Sequence, residues 1–325
     1  MSLEPFDYHR ATDISDAIAR LGAPGAVAVA GGTDVLPLWR AGALQPIQVV
    51  DLSGLGLSAV ELASGQLTLG ALVRLSDVAG HSEVRARWRV ITASIEASAS
   101  QQVRNQATVG GNLLQRTRCS YFRSRDLPCN RRQPGSGCGG REGLHRQAAI
   151  FGVSAHCVAT HASDLAVALV ALGATVHIAG PNGERRLPLG NLWRLPEEHP
   201  EVETVLAPGE VIVSVGVPAA PTTTAYRKVR DRASFEFAVV SVAAIVCVED
   251  GRIARAGLAA GGVGTVPWRL QTCEAALLGQ PVHPDTFRAA ARLATSSATL
   301  LQHNAFKAEL LQRTIVRALV EAVDA

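Results

Sequence analysis

AVAVAGGTDVLPLWRAG, residues 26–42, is the stretch on which the reading of this chain turns. The small apolar run Ala26 to Ala30 predicts a buried strand, and Gly31, Gly32 and Thr33 break it before a short helix that opens near Asp34. Glycines in such a turn let the backbone approach an anion, and free N–H groups of the first helical turn point at it, so the order is that of a phosphate-binding loop. A plain strand-to-helix turn with Thr33 or Asp34 as N-cap uses the same residues, and this stretch alone leaves both readings open. Its flanks extend it. DISDAIARLG (13–22) predicts an amphipathic helix ending at Gly22, and IQVVDLS (47–53) a second strand, which with 26–30 fits a parallel pair joined by a crossover helix.

At 325 residues and 47% apolar content the chain is long enough for two or three domains. There is no uncharged apolar run of about 18 residues or more, and the start MSLEPFDYHR lacks the basic-then-apolar order of an export signal. The expectation is a soluble chain without membrane insertion or an export address of its own. A net charge of +3 argues for no nucleic-acid partner, but the charge is uneven. Arg116, Arg118, Arg123, Arg125, Arg131, Arg132, Arg141 and Arg146 face only Asp126 and Glu142 within 116–146, a local +6 that leaves the remainder at −3.

Further along, VRARWRVITASIEASAS (84–100) predicts a helix and ATVGGNLL (107–114) a strand running into a glycine turn. Periodicity is lost over 115–156, where prolines and glycines break every element. It resumes with a helix in SDLAVALVALGA (163–174) and strands in ATVHIAG (174–180), GERRLPL (183–189) and EVIVSVGVP (210–218). PAAPTTT (218–224) reads as a linker. Beyond it AYRKVR, SFEFAVVSVAAIVCVED and RIARAGLAAGGV form an antiparallel meander turning at Glu249–Gly251, and 271–325 is helical.

Several residues carry chemistry in this pattern. Thr108, Gly110, Gly111 and Asn112 repeat the glycine-loop idea and offer a second face to one diphosphate. Asp164, at a helix start, is an N-cap or an acceptor for a ribose hydroxyl. Lys228 is a solvated strand charge, or a cation placed beside a flavin carbonyl. Cys119, Cys129, Cys138 and Cys157 fall within 39 residues of a segment too poor in apolar groups to offset its ordering entropy, so it requires a staple or stays disordered. Disulfides need an oxidising compartment. Zinc sites favour C-x₂₋₄-C pairs, and the gaps here are 9, 8 and 18 residues. An iron–sulfur cluster also takes four thiolates, and as an anion it suits an arginine-rich surround. Cys247 and Cys273, in an apolar strand and a helix, read as small buried hydrophobes.

Taken in order, AGGTDVL, QQVRNQATVGGNLL, HASD and the K-x₃-R of Lys228 and Arg232 before FAVVSVAA resemble the FAD-binding subunits of the molybdenum hydroxylase family, the xanthine and aldehyde dehydrogenases. The resemblance spans nearly the whole chain. It implies an α+β fold with FAD-binding subdomains at 1–57 and 58–217 and a C-terminal α/β domain, an antiparallel sheet with helices, at 218–325. The 52-residue interval from Asn112 to Asp164 is long for the family. Two subgroups carry such an insertion, the bacterial aldehyde oxidoreductases and the 4-hydroxybenzoyl-CoA reductases, and RTRCSYFRSRDLPCNRRQPGSGC resembles the former. The resemblance implies a [4Fe–4S] cluster on Cys119, Cys129, Cys138 and Cys157 within an insertion at about 115–157. It implies FAD held by Ala28, Val29, Ala30, Gly31, Gly32, Thr33 and Asp34 and by Thr108, Gly111 and Asn112. Asp164 would contact the adenosine side, Ile212 pack near the flavin, and Lys228 reach its pyrimidine edge. Ala162 stands where many relatives have proline.

The function expected is an electron-transfer subunit of an aldehyde-oxidising complex. Its partners would be a molybdopterin-binding large subunit, a [2Fe–2S] small subunit and an external electron acceptor, with no protein general acid or base. Its compartment would be the cytoplasm, or the periplasm by co-export with a partner. A hydroxybenzoyl-CoA reductase subunit is the rival enzyme reading, and a zinc-stapled nucleic-acid-binding module is the rival from another class, weakened by the shortage of base-stacking aromatics beyond Tyr121 and Phe122.

Overall fold

The computed structural model describes residues 5–219 and 223–324, and its strands form three sheets. In the first, β1 (Asp7–Arg10), β2 (Ala26–Val29) and β3 (Gln48–Asp51) run parallel in the order β1-β3-β2. The crossover between β1 and β2 is the helix Ile14–Leu21, whose start is fixed by Asp13, which accepts from the Asp16 N–H at 2.8 Å. The helix Val35–Arg40 makes the second crossover. The parallel pair read from the sequence is therefore present, but β1 was not foreseen. Its residues, DYHR, are polar and mostly exposed, so the strand carries no apolar signal.

The second sheet has β4 (Val60–Ala63), β5 (Gln66–Gly70), β6 (Thr175–Gly180), β7 (Gly183–Pro188) and β8 (Val211–Val217) in the order β4-β5-β8-β6-β7, antiparallel throughout. β9 (Thr224–Val229), β10 (Val240–Glu249), β11 (Arg252–Gly261) and β12 (Trp268–Arg269) make the third, also antiparallel, with the 18-residue helix Phe306–Val323 packed on β9 and β10. The helix Asp164–Ala171 is buried at every residue and packs against both the helix Arg89–Glu96 and the strands β10 and β11. An all-round apolar helix has no solvent face, and here it is the shared core of two units. Residues 220–222 of the linker expected at 218–224 lie outside the described residues.

Four local expectations are corrected. Residues 107–114 form no strand: Thr108 caps a short helix, Val109–Leu113, by accepting from the Gly111 N–H at 3.2 Å, and makes only an isolated bridge to Arg74. The single helix expected over 84–100 breaks at Trp88, which is fully buried and donates its indole N–H to the Pro218 carbonyl at 2.8 Å. Phe235, Glu236 and Phe237 lie outside β10, and Cys247 is only half-buried because it stands at the irregularity where β10 leaves the core. Finally, the segment 148–151 at the end of the insertion is not sparse loop. It is buried in the core of the third sheet, with both Ile150 and Phe151 N–H groups donating to the Val263 carbonyl.

Lys307 anchors that return segment. Its ammonium is buried and donates to the carbonyls of Gln147 (3.0 Å), Ala148 (3.0 Å) and Gly262 (2.7 Å), which accounts for all three of its protons. Burial is the main reason its pKa is pulled down to about 7. Lys307→Met keeps the volume but strands three acceptors. At about 1–3 kcal/mol for an unsatisfied buried group, the variant is expected to melt roughly 5–10 °C below the wild type. It should also become sensitive to limited proteolysis near 147–149, and an unchanged melting curve would contradict the anchoring role.

Candidate functional site

The two glycine loops meet through backbone. A Cβ on Gly31 would lie 1.8 Å from the Gln106 carbonyl oxygen, so only glycine permits the first loop to touch the segment that leads into the second. Gly32 has φ +68°, in the left-handed region, and turns the chain away from β2. Among the described residues, the backbone N–H groups of Thr33 and Asp34 have no hydrogen-bond acceptor. Both residues line a cavity of about 1090 Å³, counted to its mouth, that Gly111, Asn112 and Asp164 also line. A second cavity of about 1240 Å³ adjoins it and shares Arg118, Ala162, Asp164, Glu236 and Phe237 as a common wall.

The remaining residues singled out in the sequence are distributed around this space. Ala28 and Val29 belong to β2, and Ala30 packs in the small core beneath it. Thr108 holds the second loop through its cap, and Asn112 accepts from the Ser163 hydroxyl at 2.5 Å. Ile212 is buried in β8 opposite Ile178 and lines neither cavity.

Asp34 stands at the N-cap position of the helix Val35–Arg40 but is not a side-chain cap. Its side chain makes no capping bond; Oδ1 pairs with Arg118 (2.8 Å) and Arg123 (2.7 Å), while Oδ2 accepts from the Arg116 N–H (2.7 Å). Asp164 is not a cap either, since Ser163 performs that task. Its carboxylate is buried against Lys228 Nζ at 2.8 Å and the Tyr226 hydroxyl at 2.5 Å. Burial raises its pKa against the opposing pull of Lys228, and burial likewise raises that of Tyr226 well above the ordinary range. The structure thus brings Asp164 and Lys228, 64 residues apart in the chain, together as one buried ion pair.

Cys119, Cys129, Cys138 and Cys157 line a single small cavity, together with Arg131 and Phe122. The chain folds around it through the Cys129–Cys138 backbone bridge, and through Asn130, which accepts from the Gly137 N–H at 2.9 Å and donates to the His156 carbonyl at 3.1 Å. Gly139 and Gly143 seat the ring of Tyr121, where added Cβ atoms would fall 2.4 and 2.3 Å from it, and the Tyr121 hydroxyl accepts from the Leu144 N–H. These glycines are packing positions as well as breakers. All six cysteines are free. Among the described residues no three His, Cys, Asp or Glu side chains converge as they would on one ion. Four thiols around a volume suit a polynuclear cluster, which takes one thiolate per iron, better than a single zinc. Burial raises the pKa of Cys119 and Cys138, which favours their neutral thiols in the absence of a bound cation.

The arginines of the insertion are more committed than their number suggests. Arg116 and Arg131 pair with Glu203, Arg146 pairs with Asp231, and Arg132 donates to the carbonyls of Tyr121, Phe122 and Leu127. Arg131 alone reaches a cysteine, donating to Cys157 Sγ at 3.6 Å. Burial works against its charge, but Glu203 and Cys157 outweigh this and raise its pKa. Sequence reasoning missed Glu203, Tyr226 and the Phe235–Phe237 wall, because each acts through a partner remote in the chain. His161, whose buried Nε2 has no partner, was missed as well; burial and then the charge of Arg131 pull its pKa down to about 3, so it is a neutral imidazole.

Residues 4–220 match the FAD binding domain in molybdopterin dehydrogenase, and residues 224–322 the CO dehydrogenase flavoprotein C-terminal domain. The chain is 43% identical to the aldehyde oxidoreductase FAD-binding subunit PaoB of Escherichia coli K12, over 98% of this chain and 99% of that one. In fold it is similar to a chain of carbon monoxide dehydrogenase from Hydrogenophaga pseudoflava (TM-score 0.78, 22% identity, 100% and 99% coverage). It is similar also to one of quinoline 2-oxidoreductase from Pseudomonas putida 86 (TM-score 0.77, 23% identity, 100% and 99% coverage).

Lys228 and Asp164 give the site a stability test independent of any ligand. Lys228→Met leaves a buried carboxylate facing Tyr226 alone, a loss of about 3–5 kcal/mol for a broken buried pair. The double variant Lys228→Met, Asp164→Leu is expected to recover most of it in a thermal melt. Equal destabilisation by both would mean the charge is not the cause.

Proposed function

This chain belongs to the FAD-binding subunits of the molybdenum hydroxylase family, the flavin-binding subunits of aldehyde, xanthine and CO dehydrogenase-type oxidoreductases, and from that premise we propose that it is the FAD and [4Fe–4S] electron-transfer subunit of a heteromeric aldehyde oxidoreductase. The observation that carries the finer reading is the enclosure of one cavity by Cys119, Cys129, Cys138 and Cys157. When bound, the two groups supply redox chemistry that takes electrons from a partner's [2Fe–2S] centres to an external acceptor.

On this reading the chain's own residues bind and orient. The Gly31–Asp34 and Thr108–Asn112 loops hold the diphosphate and its neighbours, with unpaired N–H groups as donors. Asp164 and Lys228 act together at one end of the cofactor, and the burial of their ion pair keeps water from it. Residues 1–57 and 58–217 act as the two FAD-binding subdomains and 218–325 as the flavoprotein C-terminal domain. The molybdopterin-binding large subunit and the [2Fe–2S] small subunit are the proposed partners, and substrate oxidation takes place on the former. The 43% identity to an aldehyde oxidoreductase subunit supports aldehydes as the substrate class. Among the described residues no helix is long and apolar enough to cross a membrane.

Acid precipitation of the purified protein is expected to release FAD into the supernatant; FMN, or no flavin, would sink the flavin assignment. Cys129→Ser is expected to lose about four irons per chain and the broad cluster absorbance. Retention of that iron, or one stoichiometric zinc in protein prepared anaerobically, would overturn the ligand set.

Arg131→Gln should keep the cluster and lower its potential, because a positive donor to Cys157 is lost. Redox titration followed by electron paramagnetic resonance measures this. A wild-type cluster more reducing than low-potential ferredoxins, with no aldehyde-dependent bleaching of flavin in the complex, would favour the hydroxybenzoyl-CoA reductase reading.

A further inference from the structure

We propose that Arg118, a residue of the cysteine-bearing insertion, binds the diphosphate of FAD and thereby couples retention of the flavin to the folding of the insertion around its cluster. The inference rests on the FAD and cluster reading above and adds a ligand that neither glycine loop contains.

Arg118 lines both adjoining cavities and is immediately followed in the chain by Cys119. Its guanidinium is held in place from three sides. Nη1 pairs with Asp34 Oδ1 at 2.8 Å, Nη2 donates to Gln115 Oε1 at 3.0 Å, and the group lies 4.9 Å from the centre of the Phe237 ring. Nε is buried and has no partner. Burial pulls the pKa down to about 10, which still leaves the group charged at neutral pH. A guanidinium that stands on the wall of a cavity and keeps a quarter of its side-chain surface exposed has room there for a further, anionic partner beside Asp34.

Charge balance at the first loop points the same way. Asp34 stands in the loop proposed to face the diphosphate, where a lone carboxylate would repel it. Arg118 and Arg123 both pair with that carboxylate, so the three groups carry a net +1. Of the two arginines only Arg118 lines the cavity. At this loop the anion therefore meets a net positive group, while Asp164 and Glu236 elsewhere on the wall are paired with Lys228 and Arg232, and half of the compensation of Asp34 comes from the insertion's residue next to a cysteine. If the cluster fixes Cys119, it also fixes Arg118; by linkage, whatever strengthens one site through the other must act equally in reverse.

The test uses the full chain purified anaerobically, with any partner chains that accompany it. FAD release is followed as recovery of flavin fluorescence after dilution, and iron is counted in the same samples. Arg118→Gln should release FAD roughly 10- to 100-fold faster, the range for losing a hydrogen bond to a charged group, with iron unchanged. Arg118→Lys, which keeps the charge and loses the fork, should fall between. Arg123→Gln, which removes the other partner of Asp34 away from the cavity, should have much the smaller effect. Iron removal from the wild type by a chelator under reducing conditions should accelerate FAD release as Arg118→Gln does, and adds little in that variant. Wild-type release rates in Arg118→Gln, or in the chelated protein, would overturn the inference while leaving the FAD reading intact. A wild type without FAD would overturn both.

Discussion

The carboxylate of Asp34 is the contact on which the arrangement of this molecule depends. It lies in the turn after β2, in the smallest sheet, yet every partner it has belongs to the insertion: the side chains of Arg118 and Arg123 and the backbone N–H of Arg116. A partly buried ion pair of this kind contributes little net stability against a well-packed apolar alternative. What it supplies is position. Until Ile150 and Phe151 return to the core of the third sheet, the insertion has few apolar anchors, chiefly Phe122 against Leu38 and the cysteines, and the loops around its cavity have no regular ladder to hold register. Multiple hydrogen bonds to one fixed acceptor give such a segment a single orientation with respect to the glycine loop.

The elements that carry a strong period were legible in the sequence. The pair 26–30 and 47–53, the helix at 163–174 and the turn at Glu249–Gly251 all follow from apolar runs and glycine punctuation. Where the structure departs, a local rule was outweighed by a contact distant in sequence. Trp88 interrupts a helix-competent run because its indole N–H finds the Pro218 carbonyl, 130 residues away. Thr108 and two glycines give a capped turn of helix where β-branched residues suggested a strand, although residues 107–110 exchange backbone hydrogen bonds with 71–75. β1 carries almost no apolar content and exists because β3 offers it a parallel edge.

The candidate site was legible as a set of residues and not as a geometry. Both glycine loops, Asp164 and four cysteines can be picked out by type and spacing. Their relations cannot, because Asp34 and Arg123 are 89 residues apart and Lys228 and Asp164 are 64 apart. Asp164 illustrates the cost of reading position alone. At the head of a helix it has the sequence signature of a cap, but Ser163 takes that role, which frees the carboxylate to be buried with Lys228 and Tyr226. A cap is decided by backbone angles at one residue, and the sequence offers two adjacent residues able to serve.

Charge in the insertion shows how a count misleads. Eight arginines in 116–146 suggest a uniform positive shell around four thiols. The structure divides them. Asp34, Glu203 and Asp231, all from outside the insertion, pair with Arg116, Arg118, Arg123, Arg131 and Arg146, and Arg132 is occupied by backbone carbonyls. A paired charge acts at a distance as a dipole, whose field falls off faster than that of a lone ion, so most of these residues join the insertion to the body of the chain more than they electrify the cavity. Arg131 is the exception. It is buried beside Cys157, shares Glu203 with Arg116, and donates to sulfur. In a low-dielectric setting, one such donor weighs more on a nearby thiolate than several exposed cations that salt and solvent screen. The local excess visible in the sequence thus resolves into attachment to the body of the chain, carried by most of these side chains, and contact with a cysteine, which falls to Arg131.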